Sequence, residues 1–159
     1  MNVTSWLLWG FGATVVLTTL LAASQGLRIT RMNIPYMLGT MVTPDRNRAK
    51  LLGTGMHLVN GWLFSLIYVA AFHSWDQAGL WRGALVGLVH GAFVLVVGMP
   101  TLPAMHPRMA SEERGPTPTR ALEPPGFLAT HYGVQTPVSV IVAHVVFGCV
   151  LGVFYDVGA

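Results

Sequence analysis

The chain has 159 residues, 53% of them hydrophobic and only 9% charged, and its mean hydropathy of +0.57 implies more apolar surface than a water-soluble domain of this length can bury. An ordinary soluble enzyme is excluded on that ground. A net charge of +3 would suit nucleic acid, but the basic residues fall in loops between apolar runs rather than on one groove-sized face. Lipid headgroups are therefore the expected partner, and nucleic acid is not.

Residues 1–27 carry no charge, and the apolar stretch from Trp6 to Ala23 predicts a first membrane span over about 5–26. A cleaved leader would begin with a basic region, which this stretch lacks, so it is expected to remain as a helix. A second span is predicted over about 51–73, between Lys50 and Asp76, and a third over about 80–99, ended by Pro100. The fourth follows Pro137 and covers about 137–155. Each is too long for a strand and lacks strict alternation, and within a bilayer only helices or closed barrels satisfy the backbone. The expected fold is an all-α integral membrane four-helix bundle, a single transmembrane domain over 1–159.

Orientation follows from Lys and Arg. Arg28, Arg31, Arg46, Arg48 and Lys50 follow span one, Arg108, Arg114 and Arg120 follow span three, and only Arg82 falls on the other side. The loops over about 27–50 and 100–136 should therefore be cytoplasmic and both termini periplasmic, with Trp6, Trp9, Trp75 and Trp81 forming an aromatic belt. The stretches from Met32 to Thr40 and from Pro124 to Tyr132 are apolar enough to lie in the interface or fold back on the bundle. Between them, Ser111 to Arg120 reads as a solvated connector that includes Glu112. Cys149 is the only cysteine, so no internal disulfide is possible, and a packed thiol is expected.

Spans two and four share a pattern. His57, Gly61 and Tyr68 in one, and His144, Gly148 and Tyr155 in the other, both follow H-x3-G-x6-Y. This predicts two repeated helical hairpins related by a pseudo-two-fold along the membrane normal, because the two spans run in the same direction. His57 and His144 then lie at matching depth, with His90 at a similar level. Gly53 and Gly61 flank the first, Gly148 and Gly152 follow the second, and Gly83, Gly87 and Gly91 accompany the third, so these histidines should face protein and the glycines should pack helices.

Two uses of the histidines stay open. In the first, each is neutral and hydrogen-bonds across a helix interface, with no cofactor. In the second, they ligate a haem, a bacteriochlorophyll or a bare metal, with Asn60, Tyr68 and Tyr155 as polar partners of the ligands. No Asp or Glu lies inside a span, which argues against an ion-coupled transporter, and no phosphate-binding loop, nucleophile elbow or His-Glu helix motif occurs. No catalytic residue, dedicated metal site or soluble substrate is therefore expected. His106 and His131 read as solvated loop residues, and Thr18, Thr19 and Ser65 as satisfying carbonyls of their own helices.

At His90-Gly-Ala, Met99-Pro, His106-Pro-Arg-Met109, His131-Tyr-Gly133 and His144 to Tyr155, the chain resembles a family of small bacterial inner-membrane proteins of unknown function. The resemblance covers most of the chain, implies four helices in the inner membrane, and transfers no catalytic residue. The expected role is a non-catalytic accessory subunit that packs against a larger membrane complex, respiratory or photosynthetic; the alternative is a cofactor-binding membrane protein.

Overall fold

A computed structural model describes residues 1–111 and 113–158, so the expectation for Glu112 lies outside the described residues. Its elements are helical: α1 (Val3–Gly26), α2 (Ile34–Thr40), α3 (Arg46–Ser74), α4 (Leu80–Phe93), a π-helical turn (Val94–Gly98), α5 (Met99–Met105), a 3-10 turn (Phe127–Tyr132) and α6 (Thr136–Phe154). No strand occurs among the described residues, only isolated bridges of Met109 with Leu122 and of Thr117 with Arg120. Val3–Gly26, Arg46–Ser74, Leu80–Met105 and Thr136–Phe154 are each long and apolar enough to cross a membrane. Leu8, Leu51, Val89 and Val138 stand 62%, 77%, 62% and 64% exposed on these helices, a surface suited to hydrocarbon rather than to water.

Helix starts follow from side chains that satisfy the free N–H groups of a first turn. Asn2 Oδ1 accepts from Ser5 N at 3.0 Å, Asn33 Oδ1 from Tyr36 N at 2.8 Å, and Asp45 Oδ1 from Arg48 N at 2.8 Å. The cap at Asp45 starts α3 ahead of the expected boundary, so that Arg46, Arg48 and Lys50 occupy its opening turns. The third long helix does not stop at Pro100. Its turn widens over Val94–Gly98, with the N–H of Met99 bonded to the carbonyl of Val94, and the helix continues through Pro100 and Pro103. A proline at the start of a new helical segment needs no N–H partner, and the π turn relieves the clash its ring would otherwise make with the preceding turn.

The chain forms two compact units, one of 1–23, 58–92 and 140 onward, the other of 24–57 and 93–139. In the first, Ala13, Leu17, Tyr68, Phe72, Phe147 and Leu151 form the core. Trp6 stacks on Trp62 at 5.4 Å and Trp9 on Phe154 at 4.4 Å. Asn2 Nδ2 donates to Asp156 at 2.9 Å, and Asp156 N donates to Ser5 Oγ at 2.9 Å, so polar bonds tie the start of α1 to the residues after α6.

The second unit buries Met32, Met37, Ala49, Met109, Ala129 and Tyr132. Both apolar loop stretches fold here, one as α2 and the other as the 3-10 turn. Gly39 lies so close to the backbone of Ala49, and Gly53 to that of Pro35, that a Cβ on either glycine would overlap a facing carbonyl. Thr30 and Thr136 share a buried hydroxyl bond of 2.7 Å, and Arg31 N donates to Tyr132 O at 2.7 Å.

Candidate functional site

The strongest polar cluster lies in the first unit, where α3, α4 and α6 bring Tyr68, His90 and His144 together. Tyr68 is fully buried, and its hydroxyl is hydrogen-bonded to His90 Nδ1 at 3.0 Å. The rings of His90 and His144 meet edge to face with centroids 4.8 Å apart, and Phe64 and Phe147 close the cluster at 5.2 Å from His90 and 5.0 Å from Tyr68. His144 Nδ1 donates to the carbonyl of Val140, one turn earlier in its own helix, at 2.8 Å, which leaves Nε2 as its acceptor nitrogen.

Glycines create this closeness. A Cβ at Gly83 would overlap the backbone of Gly148, and one at Gly87 would overlap the carbonyl of His144, while Gly91 lies against the His144 side chain. Gly148 and Gly152 face Gly83 and Gly79 in return, so α4 and α6 approach backbone to backbone. A second close approach joins α1 to α3, where Gly61 faces Thr14 and Gly10 faces Ser65 and Trp62. The glycine face that would admit a flat macrocycle beside His90 and His144 is thus filled by a helix.

Of the other predicted polar site residues of the first unit, Asn60 and Tyr155 do not join this cluster. His57 belongs to the second unit, whereas His90 and His144 belong to the first. Asn60 is exposed on α3 and makes no hydrogen bond to these histidines. Tyr155 is bonded to His73 Nε2 at 2.9 Å and accepts from Asn2 N at 3.3 Å, so it serves the end of the first unit rather than His144. No group of three or more His, Cys, Asp and Glu able to hold a metal ion occurs among the described residues. Thr18, Thr19 and Ser65 bond carbonyls of their own helices, as the sequence predicts. Tyr68→Phe removes the bond to His90 and should cost about 1 kcal/mol or less, measured by denaturant unfolding in detergent micelles.

The second unit holds two histidines whose surroundings the sequence did not reveal. His106 is not solvated: it is 2% exposed. Its Nδ1 accepts from Arg108 N at 3.1 Å and its Nε2 donates to the Met37 carbonyl at 2.9 Å, with Thr40 Oγ1 at 3.3 Å. Arg108 Nη1 donates to the carbonyls of Thr40 at 2.5 Å and Met41 at 3.3 Å. His106 and Arg108 together hold the end of α2, where a cation also complements the helix dipole.

His131 lies in the 3-10 turn, and its Nδ1 donates to the Pro124 carbonyl at 3.0 Å. Gly126, at φ +71°, leaves the room its ring occupies. Leu128 and Ala129 adopt left-handed angles, φ 52° and 60°, at a cost of about 1–2 kcal/mol each. Arg31 offsets that strain by donating to the His131 carbonyl and pairing with Glu123 at 3.3 Å, the exposed ion pair itself adding about 1 kcal/mol at most. A cleft of about 550 Å³ opens beside the turn, walled by Met99, Pro103 and Phe127 and carrying Glu113, Arg114 and His131.

Tyr132 donates its hydroxyl to the Glu123 carbonyl. Burial, and then the Glu123 carboxylate, push its phenol up to about 12 against the opposing pull of Arg31. A raised acid favours the fold while it stays protonated, so this contribution is complete below about pH 10 and is lost as pH rises through about 12. Over that window the wild type should lose more stability than Tyr132→Phe, read from unfolding midpoints against pH.

Comparison of the chain with family models, with curated proteins and with solved structures finds no match.

Proposed function

We propose that the chain is a non-catalytic, multi-pass protein of a bacterial inner membrane, an accessory subunit that packs against a larger membrane complex of the respiratory or photosynthetic kind. In this reading the four long helices form a bundle of two repeated hairpins, with the Arg-rich loops cytoplasmic and both termini periplasmic. The observation that carries it is how the polar groups of the first unit are used. His90 is bonded to Tyr68 and His144 to its own helix, and Gly83 and Gly87 pack against the facing backbone of α6. These groups close helix contacts, as a scaffold requires, rather than opening onto a substrate path. A channel or permease would need a longer polar route than Asn60 and these histidines supply. Affinity purification of the tagged chain from its native membrane in mild detergent should recover a larger complex at fixed stoichiometry; recovery of the chain alone would contradict the proposal.

One observation favours a second reading, a cofactor-binding membrane protein. An imidazole whose Nδ1 donates to a backbone carbonyl, as in His144, has the orientation of many metal-ligating histidines. In that reading His144→Ala abolishes a visible absorption band of the purified protein, whereas unchanged absorption removes it.

A further inference from the structure

Asn60 sits at the midpoint of α3: the helix runs from Arg46 to Ser74, which places 14 residues on either side. At 1.5 Å per residue its carboxamide is about 21 Å from each end, the depth of a bilayer midplane if α3 spans the membrane. The side chain does not turn inward. Asn60 is exposed, and of the residues that share its face at helical spacing Leu63 and Ile67 are 51% and 52% exposed and Phe64, which also touches the His90 ring, 43%, while Met56 and His57 are half-buried. No hydrogen bond from its side chain to another described residue occurs, although Thr54 and Ser65, polar residues of the same helix, bond carbonyls of their own turns.

An amide facing hydrocarbon without partners is costly, because no water is present to take its two N–H donors and its carbonyl. The group that covers it must offer a donor and an acceptor together, at the same depth. A carboxamide meets that need for another carboxamide. Copies of one chain insert in one direction, so a two-fold axis along the membrane normal brings two Asn60 side chains to equal depth, where each can donate one N–H and accept one. A different protein would need a matching polar group at this depth by separate design. We propose that the α3 face of Leu63, Phe64 and Ile67 pairs two copies of this chain in the membrane, with reciprocal Asn60 amide bonds at its centre. The inference rests on α3 spanning the bilayer and not on the accessory-subunit reading.

The test uses the full chain in phosphatidylcholine vesicles over a range of protein-to-lipid ratios, with oligomeric state read by single-molecule photobleaching. The wild type should populate dimers that dissociate on dilution in lipid, and Asn60→Leu should weaken dimerisation about tenfold. Asn60→Gln should restore most of it. Because the Asn60 amide makes no hydrogen bond among the described residues, Asn60→Leu should keep its helicity and its unfolding midpoint, which separates lost association from lost folding. In a Cys149→Ser background, oxidation should link Ile67→Cys copies faster than Val89→Cys copies, since Val89 lies on α4 rather than on the α3 face that pairs. A wild type that stays monomeric at the highest protein-to-lipid ratio, or an Asn60→Leu variant that dimerises as the wild type does, overturns the proposal. So does a photo-crosslinker at position 67 in native membranes that captures only another protein. Each of these outcomes leaves recovery of a larger complex as a separate result.

Discussion

Gly83→Leu should unfold the first unit. A Cβ at this position already overlaps the carbonyl of Gly148, and Gly152 lies beside it, so the neighbour that would have to yield is backbone rather than the end of a flexible side chain. Overpacking commonly costs about 1–3 kcal/mol, and here the separation of α4 from α6 would also loosen the Tyr68, His90 and His144 cluster, so a loss above about 3 kcal/mol is expected. Unfolding in mixed micelles is the measurement, with Gly55→Ala as the contrast. Gly55 lies within α3 with nothing near its missing Cβ, and alanine there should be neutral or should stabilise by about 0.5–1 kcal/mol through helix propensity. Equal effects of the two substitutions would mean that α4 and α6 do not meet backbone to backbone.

His106→Ala should be the most damaging single change in the second unit. It opens a cavity at a fully buried position and leaves the Met37 carbonyl and the Arg108 N–H without their partner. Each orphaned buried group costs about 1–3 kcal/mol, and with the cavity a total near 4 kcal/mol is expected. His131→Ala, which removes an exposed ring and one bond to the Pro124 carbonyl, should cost about 1 kcal/mol. Limited proteolysis of the loop after Met105 gives a second readout. It should accelerate in His106→Ala, because Arg108 loses the bond that orients it toward Thr40 and Met41.

The contrast between these histidines shows what was legible in the sequence. Four long helices could be read because uninterrupted apolar runs leave the backbone no other way to satisfy itself in lipid. The packing glycines could be read because spacing by four places Gly83, Gly87 and Gly91 on one face, where their missing side chains have an effect. His106 and His131 both stand in loops between spans, and no periodicity marks which is buried; only the fold brings Met37 and Thr40 to the first of them. Asn60 was legible as a polar residue inside a span but not in its direction, since which face of α3 meets α1, α4 or α6 is a property of helix packing. Tyr155 matched Tyr68 in pattern, yet His73 is its partner, because the bonds at the end of the first unit depend on where α6 stops. Pro100 signalled a helix end by its own chemistry, and the π turn before it supplied the one local geometry in which the helix could go on.

We propose a membrane scaffold whose histidines pack helices and whose outer faces meet other protein. It is tested most directly by extracting the chain gently from its native membrane, separating assemblies by size, and recording absorption spectra of each fraction before and after dithionite reduction. The expected result is a chain that migrates with an assembly much larger than its own 17.2 kDa and, when released from that assembly, carries no visible band. A haem or bacteriochlorin band that stays with the isolated chain and disappears in His144→Ala would contradict it.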